Sequence, residues 1–308
     1  MPFEIKRTAE LLATGMTRHA VDQLPRVDEL RGVRVLGSEP EDRRLVRIHA
    51  AWAKAPAGSV LAGWAAAAVH GVPESFVDGT VDGVKLRPVD LCVPESAGSY
   101  DSRGLRARKS RIPGEHVVEI GEFLVTSGPR TALDLARWTG AAGRRMAMLD
   151  LAARFGLIDL ASFASFLEPL GGLHGLAGVR ELVPMLSADA ESIPESELRH
   201  QWLEAGLPAP LVNQPVHDRY GHFVGRPDLL DPQSGLVGEY QGFWHRLDLA
   251  PEEDKARRAR FEAMNLTVVE IWKDDRDRVE TLLLDGYERA RSRDQRLDSW
   301  TFPQQRAV

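Results

Sequence analysis

Apolar positions along this chain change period several times, and each change predicts an element. Ala9–Ala13 and the stretch from Ala20 through Val21 to Leu24 carry helical spacing, separated by Gly15, with Thr17 placed as an N-cap. Leu30 to Gly37, LRGVRVLG, is expected to pair on itself as a small β-wing. Asp42–Ala55 and Ser59–Val69 read as helices, the second stopping at His70-Gly71 with Pro73 just beyond. Val89–Val93 and Val117–Val125 read as strands, and helical patterns follow at Ala141–Phe155, Leu160–Leu167 and Val179–Met185. Ser192 and Glu195 have capping-box spacing around Pro194, so a helix starts there and ends at Gly206-Leu207-Pro208. A strand near Asn213–His217, a hairpin over Phe223–Tyr240, a helix Pro251–Met264, a strand Leu266–Trp272 and a helix Asp277–Ala290 complete the pattern.

The hairpin carries the most chemistry. Asp231-Pro232-Gln233-Ser234-Gly235 is a cluster of turn formers between two apolar runs. With the loop at Pro232 to Gly235, Asp231 faces Leu236, and counting outward sets Asp228 opposite Glu239. Like charges directly opposite on one face of an antiparallel pair are destabilising, so two such acids invite a cation. A hard divalent ion such as Mg²⁺ is commonly held by one or two carboxylates with water and phosphate. Glu195 has two roles open to it, an N-terminal cap and, through the helical face it shares with Leu198 and Trp202, an acid turned toward the sheet.

Length and composition bound the setting. The chain has 308 residues, 43% hydrophobic and 27% charged, enough for several cores in an α+β multidomain protein. The expected divisions are residues 1–39, 40–187 (mixed and mostly helical), 188–295 and a tail at 296–308. A net charge of -6 excludes indiscriminate coating of nucleic acid, so contact with DNA has to come from local basic patches. Cys92 is the only cysteine, which rules out an internal disulfide and multi-cysteine zinc sites and fits a reducing cytoplasm. The N-terminal residues lack a signal-peptide core and no stretch has the length of a membrane span, so no membrane association is expected.

Helix, glycine turn, helix near the N-terminus is the helix-turn-helix pattern, whose second helix reads the major groove. Arg18, His19, Asp22 and Gln23 are then the residues for base edges and Arg26 and Arg31 for phosphate; a plain packing module is the alternative. Arg103, Arg106, Arg108, Lys109 and Arg111 form the densest basic cluster, either a track for phosphates or a charge-protected edge strand. Lys255 and Arg257 lie in a basic run on the helix before the last strand, mostly a solvated face with one or two cations in reach of phosphate. His217 and His222 flank a tight turn without a cysteine nearby and read as exposed turn histidines rather than zinc ligands. Phe243 and Trp244 either stack on a base or cap the sheet.

Two resemblances sharpen this reading. Gly15-Met16-Thr17-Arg18 with Arg31-Gly32-Val33, Gly63–Gly71 (GWAAAAVHG), and Val125–Ala136 (VTSGPRTALDLA) resemble the reduced winged helix and the following segment of AbiEi-type antitoxins. From Ser192 to Trp272 the chain resembles the PD-(D/E)XK nuclease superfamily, a restriction-endonuclease-like α-β-β-β-α-β fold, in its branch near the very-short-patch repair (Vsr-like) endonucleases. That likeness rests on Glu195, Arg226-Pro227-Asp228, Glu239-Tyr240-Gln241-Gly242, His245 and Asp254-Lys255-Ala256-Arg257. It implies metal-assisted hydrolysis of DNA, with Mg²⁺ or Mn²⁺ on Asp228, Glu239 and the Tyr240 carbonyl and Glu195 as an outer acid. Gln241 stands where the superfamily has lysine, and His245, Lys255 or Arg257 is then the source of the missing cation. The antitoxin resemblance implies instead a non-catalytic DNA-binding regulator, with a cognate toxin or a second copy of the chain as partner.

Overall fold

In a computed structural model, residues 3–27, 29–38, 40, 42–81, 83–97, 103–241, 251–293 and 299–302 are described. Helices and mixed sheets together make an α+β protein. Its contacts divide it into two compact units, Met1–Trp138 with Phe155–Leu176, and Thr139–Arg154 with Ala177–Val308. Among the described residues no helix is long and apolar enough to cross a membrane.

The first unit opens with β1 (Glu4–Arg7), α1 (Thr8–Ala13), α2 (Arg18–Gln23) and β2 (Val33–Leu36). Thr17 caps α2 by accepting the Ala20 N–H at 3.2 Å, and Gly15 makes the turn at φ +91°. Leu11, Val21, Val27, Leu30, Val33 and Val35 are the buried face of this small unit. The expected wing within residues 30–37 does not form; β2 pairs antiparallel with β1, Glu4 opposite Leu36 and Arg7 opposite Val33. Gly32 turns the chain at φ +85° and Leu30 is buried in the core, so one strand remains in the segment and its partner comes from residues 4–7.

After α3 (Arg43–Lys54) come β3 (Val60–Leu61), α4 (Gly63–Val69), β4 (Thr80–Val81), β5 (Lys85–Leu86), β6 (Val89–Val93), β7 (Leu105–Lys109), β8 (Val117–Ile120), β9 (Phe123–Thr126) and α5 (Gly128–Arg137). The region expected to be mostly helical is built on a five-stranded sheet in the order β7-β6-β3-β9-β8. The five residues of β6 are all buried, as a central strand requires. The predicted helix from Ser59 begins only at Gly63, because Val60–Leu61 is drawn into the sheet. The predicted strand Val117–Val125 is a hairpin turned at Gly121, φ +60°. Arg130 and Arg137 both reach the fully buried Asp134, at 3.1 and 2.7 Å.

The chain then contributes α6 (Ala142–Arg154) to the second unit, α7 (Leu160–Leu167) to the first, and runs through α8 (Leu176–Leu182). α6 packs on α9 (Ile193–Glu204), and the buried pair Asp150–Arg199 at 2.6 Å ties them. The remaining elements are β10 (Leu211–Val212), β11 (Val216–Asp218), β12 (Phe223–Gly225), β13 (Leu229–Asp231), β14 (Leu236–Gln241), α10 (Pro251–Ala263), β15 (Thr267–Trp272), α11 (Val279–Ser292) and β16 (Trp300–Thr301). A four-stranded sheet runs β10-β13-β14-β15, antiparallel except for the parallel pair β14 and β15, which α10 connects. One face buries Leu229, Leu236, Val269 and Ile271 with Leu198 and Trp202 of α9 and Leu283 of α11. The other buries Leu230, Val237 and Val268 with Phe261 of α10.

The run Phe223–Leu230 was expected as one strand and is two. Arg226-Pro227 interrupts it, and β12 pairs with β11 in a separate sheet. Pro227 has no N–H to give a ladder, which accounts for the break.

Candidate functional site

The hairpin register decides where the acids fall. Asp231 pairs with Leu236, Leu230 with Val237 and Leu229 with Gly238. The ladder ends there: Asp228 lies in a bend just before β13, and its carboxylate reaches the Tyr240 N–H next to Glu239. Side chains alternate between faces, so Glu239 and Gln241 share the α10 face with Leu230 and Val237. Glu270 of β15 lies beside Glu239 in the parallel ladder and falls on that face too. Two carboxylates thus lie side by side on neighbouring strands, and α10 answers with Arg257 on Glu239 at 2.6 Å and Arg258 on Glu270 at 3.1 Å.

Asp228 is the perturbed group. Its Oδ2 accepts the Tyr240 N–H at 2.8 Å. Burial pushes its carboxyl up to about 6, the Tyr240 N–H opposes that rise, the charge of Glu195 adds to it, and Arg257 and Arg226 oppose it. Glu239 is 4% exposed and Gln241 likewise 4%.

The carboxylate of Glu195 does not close a capping box on the Ser192 N–H. Glu195 donates its N–H to Ser192 Oγ at 3.3 Å, the cap expected from the sequence. Its carboxylate reaches past Ser192 to accept the Glu191 N–H at 2.9 Å, and it accepts Asn213 Nδ2 at 2.8 Å. Asn213 in turn donates its N–H to the Asp228 carbonyl at 3.0 Å, so one residue fixes both acids. It sits at φ +50°, a conformation asparagine tolerates better than most residues. Glu191 holds Arg226 at 2.8 and 2.5 Å and Arg154 at 3.0 Å, and the Arg226 contact pulls its carboxyl below the usual range. Asn213, Glu191, Glu270 and Arg258 were not singled out in the sequence; the available signal was an asparagine between two short apolar runs, the left-handed residue that links them.

Among the described residues no three histidine, cysteine, aspartate or glutamate side chains converge as a metal-binding group. The donor set that does fit a hard divalent ion is Asp228 with Glu239, an oxygen ligand from the bend before β13 and one from β14, the first enclosed enough that its negative charge is unfavourable without a cation. Tyr240 contributes its N–H to Asp228. His245, Phe243 and Trp244 lie outside the described residues.

The basic residues separate by environment. Arg18, His19, Gln23 and Arg31 are exposed. Asp22 is exposed and is paired with Arg34 at 3.2 Å. Arg7, Arg18, Arg31 and Lys54 line one depression of about 410 Å³. Arg106 and Lys109 are exposed on the edge strand β7, but Arg108 is engaged internally: its Nε donates to Asp90 at 2.9 Å and its guanidinium lies 3.7 Å from the Trp138 ring. Lys255 is exposed, whereas Arg257 turns to Glu239 rather than outward. His222 is an exposed turn residue paired with Asp218 at 3.0 Å, and His217 packs edge-on to Phe223. Cys92 is buried, which pushes its thiol up to about 12 and leaves it inert.

Two curated proteins of Mycobacterium tuberculosis are similar to this chain: "Uncharacterized protein MT2308" of strain CDC 1551 / Oshkosh and "Uncharacterized protein Rv2248" of strain ATCC 25618 / H37Rv. Each is 31% identical over 195 residues, 63% of this chain and 65% of the relative. The chain therefore spans a little under two thirds of those relatives' length. No sequence-family model matches the chain, and no solved structure matches it.

Proposed function

We propose that the second unit hydrolyses phosphodiester bonds of DNA with a divalent ion, Mg²⁺ or Mn²⁺, held by Asp228 and Glu239. The observation that carries this is a raised-pKa aspartate whose carboxylate accepts the Tyr240 N–H, next in sequence to the buried Glu239. The order of α9, the antiparallel strands β10, β13 and β14, then α10 and the parallel β15 supports it as well, since the same α-β-β-β-α-β order was expected from the nuclease resemblance. When bound, the ion supplies a water of lowered pKa and neutralises phosphate charge.

The protein's own contribution is positioning and charge. Asn213 and the Tyr240 N–H hold Asp228 from two sides, and Glu195 is fixed by the same asparagine. Gln241 offers an amide where a cation is wanted. Arg257, 2.6 Å from Glu239, is the positive charge nearest the acids and takes that part. Exposed Arg18, His19, Gln23 and Arg31 of the first unit bind the DNA to be cut.

A second reading has its own observation. The Arg257–Glu239 pair already neutralises one of the acids, which suits a non-catalytic DNA-binding regulator working with a cognate toxin or a second copy of the chain. Supercoiled plasmid incubated with purified protein and Mg²⁺ or Mn²⁺ separates the two. Nicking by wild type and none by Asp228→Ala supports hydrolysis. DNA binding without metal-dependent nicking supports the regulator.

A further inference from the structure

Two aromatic side chains stand in solvent on one hairpin of the second unit. Among the described residues the exposed large hydrophobics include only two aromatics, Tyr220 at 78% and Phe223 at 61%, and both lie where β11 turns into β12. Arg219, Gly221 and His222 beside them are exposed as well. Phe223 is turned outward by strand alternation, since its neighbour Val224 enters the core with Phe261 and Trp300. An apolar ring left in water forgoes the burial that stabilises the rest of the sheet, so its exposure calls for a partner.

Hydrogen bonds fix the turn that presents these rings. The Asp218 carboxylate accepts the Tyr220 N–H at 2.8 Å and the His222 N–H at 2.9 Å, and it pairs with His222 Nδ1 at 3.0 Å. The Asp218 N–H donates to the His222 carbonyl at 2.9 Å, and Gly221 supplies the left-handed residue at φ +86°. Asp218 is thereby engaged within the turn and only 21% exposed, while Arg219 makes no ion pair among the described residues. Aromatic faces beside a guanidinium are the parts of a base-stacking surface: every base has a π-face, and the cation meets the backbone. A protein partner fits less well, because a standard interface takes roughly 20–30 residues a side and the run 219–223 exposes five. Chain length sets the place. Phe223 precedes Asp228 by five residues, so the two are at most about 18 Å apart, or about five nucleotides of one strand at ~3.4 Å each.

We propose that this hairpin tip is a stacking platform for unpaired bases of DNA, with Tyr220 and Phe223 against the bases and Arg219 at the intervening phosphate. The inference rests on the reading that this unit handles DNA, not on cleavage, so binding is measured in EDTA. By fluorescence anisotropy with a labelled oligothymidylate, Tyr220→Ala combined with Phe223→Ala should weaken the complex by ~10-fold or more, the scale of one lost base stack. The slope of log affinity against log salt should hold in that alanine pair and fall by roughly 0.7 in Arg219→Ala. Tyr220→Trp combined with Phe223→Trp should keep the wild-type affinity. All these side chains are exposed, so the melting temperature should hold throughout. The proposal is overturned if the alanine pair binds oligothymidylate as wild type does, or if the tryptophan pair loses as much as the alanine pair. It is overturned too if the alanine pair breaks an oligomer that light scattering finds in wild type, which would make the tip a protein interface. Metal-dependent plasmid nicking, run alongside, keeps the failures apart. Nicking by wild type with unchanged oligothymidylate binding in the alanine pair defeats the platform alone; oligothymidylate binding lost in that pair, with no nicking by wild type, supports the platform and defeats cleavage alone.

Discussion

Asp228→Asn should make the metal-free protein more stable and the metal-dependent activity disappear. The substitution keeps the shape, and an amide oxygen can still accept the Tyr240 N–H now received at 2.8 Å; only the charge is removed. Displacement of the carboxyl from its ordinary 3.8 to about 6 corresponds to about 3 kcal/mol against the ionised form in the folded state. Partial exposure of the side chain reduces this to ~1–2 kcal/mol. The direction with pH follows from the proton count. Below 3.8 the group is protonated folded and unfolded, and the variant gains nothing. Between 3.8 and about 6 the folded state holds the proton more tightly, so wild-type stability falls as pH rises. Above about 6 the full difference persists. Urea unfolding in EDTA at pH 3 and pH 8 measures it: the curves should coincide at pH 3, with Asp228→Asn more stable at pH 8. Adding Mg²⁺ at pH 8 should raise wild type toward the variant and leave the variant unmoved. A wild type more stable than Asp228→Asn at pH 8 in EDTA, or a variant that gains equally from Mg²⁺, would refute the idea that this carboxylate is held in wait for a cation.

Other residues give sharper contrasts. Arg199→Ala leaves Asp150 charged and buried and should cost about 3–5 kcal/mol of unfolding free energy in urea titration. Asn213→Ala should lose about 1–2 kcal/mol through its two side-chain hydrogen bonds and its left-handed backbone, and Asn213→Gly, relieved of the backbone part, should lose less. Arg18→Ala should weaken DNA binding by fluorescence anisotropy and reduce the slope of log affinity against log salt by roughly 0.9. Arg108→Ala should leave that slope unchanged while lowering the melting temperature, because its partners are Asp90 and Trp138.

The acids were legible because a hairpin is a local object. Turn formers at 231–235 fix the loop and a period of two fixes the faces of the paired residues, Glu239 with Val237, while Asp228 lies in the bend one residue before β13 and meets the Tyr240 N–H through its side chain. The N-terminal wing was misread because the pairing of β2 with β1 joins residues 4–7 to residues 33–36, and nothing within LRGVRVLG announces a distant partner. The sheet of the first unit escaped for the same reason: Val60–Leu61 is too short to carry a period and becomes a strand only between β6 and β9. The charged residues show where local reading stops altogether. Arg106, Arg108 and Lys109 look alike in sequence, yet Trp138 and Asp90 convert the middle one into a packing residue, and Arg257, expected on a solvated face, closes on Glu239. A cation's role depends on whether the fold brings it an acid, which is a tertiary fact. Arg257 is therefore the residue on which the two functional readings divide. If it is a catalytic cation, Arg257→Lys keeps part of the nicking activity and Arg257→Ala loses it. If it only neutralises Glu239, Arg257→Ala lowers stability and frees the glutamate, so Mg²⁺ protects that variant against urea more than it protects wild type.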